Sequence, residues 1–595
     1  MPDPLVRLRR LLARARRRGR DEARAAAPSA SRRLRERVAS LVDSLPADLD
    51  VRRVLVLADG LDVQRSVDEI RSRRPDAGVD VLVRADDVRL WTDEAPPGAR
   101  VHVAASLEDR VALVRTLDRF DLAVDASRRE RDAVVHLRRL VFTVRPGGAW
   151  AVAGAFDPAA RDDRSVAGLL TLAAGLRGGD RATRKAARPA DVDLADGIEH
   201  VRLDPQGALL RRTGEYYAKL RDWDADAVLD ARYGDSWGRV LEVRPATTFT
   251  ALADVTSHGE GPIASGRRTF AVPPRELRLY RWPRASARQV LLKDDLMLPD
   301  SFRHPHQRVL GNKQMSQATA DFARYLPRTQ PVAQRTLHGR YYYFDSAFPF
   351  HFGHITTEVL SRYWGWERAR ELDGDLVPLV SVRDEGATLP VFQRAIFEAL
   401  GVDPDAVELV GPREWVDVEE LVAATPQFEN PHYVDPDLAR VWAALSAGLP
   451  PVAPPVVAEK IFVSRRPSGK RDCLQAPELE QLFADAGFAV VFPEQYPYAE
   501  QRALFAQARV VAGFAGSGMF NMMFAPGARV IVISGDSYTA ANEELFAAAN
   551  ANDIHFFWGR SLVPTVGGRY DVKAFKSNWT FDLPRFRDEL LELVR

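Results

Sequence analysis

The sequence predicts an α/β protein built from several Rossmann-like units. From Val51 onward, short β-branched runs alternate with stretches of helical periodicity, the pattern of parallel βαβ units. The same alternation returns after Lys460. A chain of 595 residues also exceeds what one hydrophobic core organises, so about two to four domains are expected.

Composition fits this class. Hydrophobic residues make up 46% and charged residues 28%, the balance of a globular protein rather than a fibrous or disordered one. The net charge is +1, yet Arg7, Arg9, Arg10, Arg14, Arg16, Arg17, Arg18 and Arg20 crowd the start with no acidic residue among them. Across residues 5–44, Leu5, Leu8, Leu11, Leu12, Leu34, Val38 and Leu41 recur at helical spacing. This reads either as a surface helix drawn to anionic lipid through residues 5–20 or as a solvated helical arm. With no aromatic residues between the arginines, nucleic acid is not an expected partner. The single cysteine, Cys473, permits no intramolecular disulfide and no Cys-based metal site, and points to a reducing compartment. No run of about 18 apolar residues and no cleavable leader is visible. The expected location is cytoplasmic, with peripheral contact at the inner face of the membrane if residues 5–20 bind lipid.

The elements follow in order. Residues 1–48 form the Arg-rich arm. Residues 49–160 carry strand candidates at Val54–Leu57, Val79–Val83, Val101–Val103, Leu122–Val124 and Trp150–Ala153, spaced for a parallel doubly wound sheet. Their layout, with Phe120-Asp121-Leu122-Ala123-Val124-Asp125 and Arg145-Pro146-Gly147-Gly148, resembles a class I S-adenosylmethionine-dependent methyltransferase. Such enzymes place a glycine-rich turn after the first strand; here Ala58-Asp59-Gly60-Leu61-Asp62 has one glycine. A degenerate domain kept for packing or partner binding is expected, with a working cofactor site as the alternative. Residues 161–264 read as a connector with added strands. A new unit opens at Pro273–Tyr280 and extends over about 265–450. Leu449-Pro450-Pro451-Val452-Ala453-Pro454-Pro455 reads as a stiff extended linker, and 456–595 form a last unit closed by a helix from Pro584 to Arg595 that packs back across the linker.

The chemistry concentrates in the last two units. Lys460-Ile461-Phe462-Val463-Ser464-Arg465-Arg466 is a strand that delivers a hydroxyl and two guanidiniums at its carboxyl end, the edge where open parallel sheets bind ligands. A helix from Pro477 stops at Gly487, and the strand Ala489–Phe492 leads to Pro493-Glu494. The strand Arg509–Ala512 empties into Gly513-Phe514-Ala515-Gly516-Ser517-Gly518-Met519-Phe520-Asn521. Three glycines let backbone approach a bulky anion, and free amides at the helix start attract it. A diphosphate is the expected guest, and a tight packing turn is the alternative. Upstream, His354 and Glu358 lie four apart and share one helix face. They read as a catalytic pair, with His354 as the base or its near neighbour and Glu358 either orienting it or acting itself, or as a core histidine beside a Glu358–Arg362 pair.

Phe352-Gly353-His354 with Glu358-Val359-Leu360-Ser361-Arg362-Tyr363-Trp364, Val463-Ser464-Arg465, Pro493-Glu494 with Gln501, Ala512-Gly513, Gly516-Ser517 and Asn521 together resemble glycosyltransferase family 61, in its bacterial capsular-polysaccharide branch. Leu298-Pro299-Asp300-Ser301-Phe302 fits the upstream part, so the resemblance spans about 265–595. It implies a GT-B-like pair of Rossmann-like lobes, an acceptor lobe and a nucleotide-sugar lobe hinged at the proline linker, preceded by the methyltransferase-like domain. It further implies inverting transfer from a nucleotide-diphosphate sugar to a hydroxyl of a cell-envelope, capsular or lipid-linked glycan, with no cofactor and no metal. His354 and Glu358 are then the catalytic candidates. Ser464, Arg465, Lys470, Arg471, Glu494, Gly513, Gly516, Ser517, Gly518 and Asn521 are the donor-binding candidates. Relatives commonly carry histidines where this chain has Ala515 and Phe520, so imidazole contacts to the donor are not expected there. The alternatives are a non-catalytic nucleotide-sugar-binding or scaffold protein, and a bifunctional methyltransferase-glycosyltransferase. Asp224-Ala225-Asp226 and Asp373-Gly374-Asp375 read as loop acids, and His304, His306 and His351 as surface loop residues. Tyr341, Tyr342, Tyr343, Phe348 and Phe350 read as a half-buried strand or a sugar-stacking cleft.

Overall fold

The computed structural model describes residues 28–59, 62–85, 98–154, 156–304, 310–316, 321–372, 374–565 and 570–595, with side chains from residue 32. The basic stretch 5–20 with its lipid contact, Gly60 and Leu61 of the first turn, His306 and Asp373 lie outside the described residues. Two compact units divide the chain. The first comprises Met1–Trp237, Leu292–Pro299 and Gln307–Gln330; the second comprises Gly238–Leu291, Asp300–His306 and Pro331–Arg595.

The first unit holds a seven-stranded sheet in the order Ala99–Ala104, Gly78–Arg84, Arg53–Ala58, Phe120–Ala126, Val144–Val152, Gly207–Arg212, Ile198–Asp204. The first five strands are parallel and the last two antiparallel. Val54, Leu55, Val56 and Leu57 are all fully buried, because a parallel sheet is covered on both faces. One cover is the helix Asp62–Arg73, which buries Val63, Val67 and Ile70. Another is Pro28–Asp43, where Leu34, Val38, Leu41 and Val42 enter the same core. That end of the Arg-rich arm is therefore docked rather than solvated, as its apolar stripe requires. The stretch read as a connector supplies Ile198–Asp204 and Gly207–Arg212. Ile198–Asp204 is largely exposed, which is why its pattern is weak.

The second unit contains two large sheets. One runs Gly238–Arg244, Arg275–Arg281, Glu414–Ala424, Ala333–Tyr343, Val377–Ser381, Glu408–Val410; its first pairings are antiparallel and the rest parallel. Tyr341, Tyr342 and Tyr343 are buried strand residues, which settles their reading. The other sheet is parallel in every one of these pairings, in the order Val255–His258, Asp553–Ser561, Arg529–Gly535, Val510–Phe514, Lys460–Val463, Ala489–Val491. A single apolar core joins the sheets, with Leu277, Tyr342 and Val422 from one and Val463, Val511 and Val530 from the other. Residues 449–455 connect them without helix or strand. The final helix, Leu583–Leu593, packs Phe586 and Leu590 against Phe557, Trp579 and Phe581. Its stripe thus covers the second sheet instead of crossing the proline segment.

Candidate active site

His354 and Glu358 sit on a helix that changes pitch three times. Phe352–His354 is α-helical, Ile355–Val359 is π-helical, Leu360–Arg362 is 3-10 and Tyr363–Leu372 is α-helical again. Single π turns of this kind cluster at functional sites. The His354 Nδ1 lies 2.8 Å from Glu358 Oε1. Arg303 Nε donates to the same oxygen at 2.7 Å, and Ser346 Oγ donates to Oε2 at 3.1 Å. Burial alone would raise the Glu358 carboxyl, but the neighbouring charges of His354 and Arg303 outweigh it and hold the group well below the usual range. An ionised carboxylate only accepts hydrogen bonds, so His354 Nδ1 donates to it and Nε2 is the ring nitrogen left for a substrate. Phe348 stacks on the ring at 4.2 Å, and His351 meets it edge-on at 4.8 Å. Arg362 bonds Asp300 at 3.3 Å and the Ala424 carbonyl at 2.7 Å, so the Glu358–Arg362 pair does not form.

The glycine-rich turn follows the strand Val510–Phe514. Gly516 has φ 141°, a backbone that favours glycine, and the 3-10 helix Ser517–Phe524 starts behind it. The first N–H groups of a helix have no internal partner, so Ser517 and Gly518 open it with amides suited to an anion. Gly516 differs: its N–H turns inward and donates to Glu543 Oε1 at 2.8 Å. The sequence expected that amide to face the guest. Glu543 is fully buried, its carboxyl pushed up to about 7 by desolvation, and it also accepts from Tyr538 Oη at 3.1 Å.

A cleft of about 530 Å³ lies over this turn. Ser464, Arg465, Arg471, Glu494, Gly516, Ser517, Gly518 and Asn521 line it, with Phe352 and Phe392 from the other sheet's side. A β-carbon placed on Gly516 would lie 3.8 Å from Arg471 Nη2 and 3.9 Å from Arg465 Nη1. The Arg471 guanidinium is held over the rings of Tyr538 and Phe575, at 5.5 and 5.3 Å. Burial, and then the charge of Arg471, depress the pKa of Arg465. Two like charges side by side in a partly desolvated cleft favour an anion between them. Asn521 Nδ2 donates to Gln501 Oε1 at 2.9 Å, while its buried Oδ1 has no partner.

Three expected donor residues behave otherwise. Gly513 lies in the strand, where a β-carbon would come within 2.4 Å of the Val463 carbonyl; it is a packing glycine and does not line the cleft. Lys470 is exposed and outside the lining. Ser464 reaches the cleft, but its hydroxyl is bonded to Glu480.

The His354 helix meets the glycine turn at Gly353, while His354 and Glu358 themselves are not among the residues lining the cleft. A β-carbon on Gly353 would lie 3.0 Å from Ser517 Cβ and 3.1 Å from Phe520 Cε2, so the His354 helix abuts the glycine turn. Phe520 and Ala515, which replace the expected histidines, are buried apolar residues. Sequence reasoning missed Arg303, Ser346 and Glu543. Arg303 ends the Leu298–Arg303 run and had that signal; the others had none. His304 is half-buried and pushed down to about 4 by burial, whereas His351 is exposed, as read from the sequence, with its ring edge-on to His354.

In the first unit, the carboxyl ends of the central strands are occupied by the protein's own side chains. Asp125 bonds His136 at 2.9 Å, and His136 bonds Arg110 at 2.7 Å. Arg128 donates to Asp59 at 2.7 Å through its amide and to Asp62 at 2.9 Å through Nε. Asp224 is paired with Arg115 at 2.9 Å. Among the described residues no helix is long and apolar enough to cross a membrane.

Residues 352–532 match the family model Glycosyltransferase 61, a narrower span than the 265–595 read from the motifs and one inside the second unit. A comparison with curated proteins finds no match. Solved structures similar to the chain include methyltransferases. The MycE methyltransferase from the mycinamycin biosynthetic pathway, in complex with Mg, SAH and mycinamycin VI, is 16% identical over 34% of this chain and 54% of its own, with a TM-score of 0.22. Human N-acetylserotonin methyltransferase in complex with SAM is 16% identical over 36% of this chain and 68% of its own, with a TM-score of 0.19. The chain spans about half the length of the first of these.

Proposed function

We propose that the second unit is an inverting glycosyltransferase of GT-B-like arrangement, moving a sugar from a nucleotide-diphosphate donor to a hydroxyl of a cell-envelope or capsular glycan. The observation that carries this reading is the convergence at the glycine turn: Arg465 and Arg471 flank Gly516 within 3.9 Å of its β position, and Ser517 touches Gly353 of the His354 helix. The family match over the same residues supports a glycosyltransferase.

The chemistry follows from the groups present. The diphosphate lies between the two guanidiniums and the Ser517 and Gly518 amides, which stabilise the charge that develops as the sugar–oxygen bond breaks. His354 Nε2 accepts the acceptor hydroxyl's proton from the opposite side. Glu358 fixes the imidazole tautomer and stabilises the imidazolium that results. Asn521 offers an unpaired acceptor to a donor hydroxyl or N–H.

The test is incubation of the full chain with UDP-, GDP- and dTDP-sugars and a panel of glycan acceptors, read by mass spectrometry. Transfer yields a free nucleoside diphosphate together with an acceptor heavier by one sugar. Binding without transfer identifies a non-catalytic nucleotide-sugar protein, and absence of binding by every donor contradicts the reading.

A further inference from the structure

One imidazole beside the proposed site has no role in the account above. His351 precedes the His354 helix, and Phe350 before it adopts a left-handed backbone, φ 65°. Aromatic residues take that conformation only where the surroundings impose it, and here it sets the direction in which the chain enters the helix. The point where a β-carbon on Gly353 would sit lies 3.5 Å from His351 Cε1 and 3.0 Å from Ser517 Cβ. Gly353 is thus close both to the exposed His351 ring and to the first residue of the anion-binding helix, and the ring belongs to the opposite lobe. The groups that act on it are His354, edge-on at 4.8 Å, then Glu358 and Arg471. Desolvation first, then the charges of His354 and Arg471, push its imidazole down to about 4.

We propose that His351 is a third anion-binding group of the cleft, contributed by the acceptor lobe, which becomes protonated as the diphosphate enters and donates a hydrogen bond to it. The inference rests on the donor-site reading above. The proton comes from solvent, because a neutral imidazole meets a multiply charged anion between two guanidiniums. On transfer, the sugar–oxygen bond breaks with its electron pair passing to the diphosphate, which His351 and the arginines stabilise. The acceptor hydroxyl's proton goes to His354, so the two neighbouring imidazoles serve opposite faces of the reaction.

Calorimetric titration of the full chain with UDP, GDP and inorganic pyrophosphate near neutral pH, in two buffers of unlike ionisation enthalpy, tests this. Wild type is expected to take up a fraction of a proton on binding. His351→Gln and His351→Asn should lose that uptake and bind about tenfold to hundredfold more weakly, the worth of one charge-assisted hydrogen bond, with unchanged melting curves. His354→Ala should retain the uptake. Unchanged affinity and proton count in both His351 variants, or loss of the uptake in His354→Ala alone, overturns the inference while leaving the donor site standing. If wild type binds none of the three anions, the donor-site reading itself fails and this inference with it.

Discussion

His354 Nδ1 and Glu358 Oε1 stand 2.8 Å apart across one π-helical turn. The same carboxylate receives Arg303 and Ser346, so its orientation is fixed from three directions. A carboxylate bound in this way holds the imidazole in a fixed orientation.

Glu358→Gln keeps the shape but removes the charge that stabilises the imidazolium. Turnover should fall at least about a hundredfold, in the range of general-base effects, with the donor KM nearly unchanged. The stability effect has a defined sign. The folded carboxyl is held well below its ordinary value, so its contribution is complete above about pH 4.5 and fades as pH falls further. Thermal melts of wild type should drop over that acid window more steeply than those of Glu358→Gln.

Arg465 and Arg471 differ in how they are held, and their variants should differ too. Arg465→Ala and Arg471→Ala should each raise the donor KM by about tenfold or more, with binding that weakens as salt increases. Arg471→Lys keeps the charge but gives up the planar contacts over Tyr538 and Phe575 and should be intermediate. Steady-state kinetics at two ionic strengths distinguish these outcomes.

Glu543 provides a stability signal of opposite sign. Its carboxyl is raised to about 7 when folded, so the folded state binds the extra proton between the ordinary carboxyl range and pH 7. Stability from this group is present below about pH 4.5 and is lost as pH rises through 7, an effect on the order of 3 kcal/mol. Glu543→Gln can still accept from the Gly516 amide and should flatten that dependence, which denaturant titrations at pH 5 and pH 8 would show.

Most strands of the first unit and of the last sheet were legible because runs such as Val54–Leu57 and Val530–Ile533 are buried on both faces and bounded by turn residues. The glycine turn, Arg465 and the His354–Glu358 spacing were legible for a related reason: each is local in sequence. What was not legible depends on distant pairs. Gly516 surrenders its amide to Glu543, 27 positions away, and nothing near either residue announces it. Gly513 fits the turn pattern equally well, yet close approach to the Val463 carbonyl makes it a packing residue. Arg303 reaches Glu358 across 55 positions, and His351, exposed as the sequence suggests, acquires its edge-on contact with His354 only through the turn into the helix.

The first unit leads to a prediction about cofactor use. Asp125, His136 and Arg110 satisfy one another at the strand ends, and Arg128 bridges Asp59 and Asp62. With those polar groups already partnered, they are not left to hold S-adenosylmethionine. Calorimetric titration should show no saturable binding; a stoichiometric isotherm would instead mark a second activity.

The most direct test compares wild type with His354→Ala at saturating donor, measuring sugar transfer and nucleoside-diphosphate affinity on the same samples. Transfer should fall by roughly 10² to 10⁴ while affinity is retained, because the imidazole serves the acceptor and the guanidiniums serve the donor. Transfer at the wild-type rate would contradict the account.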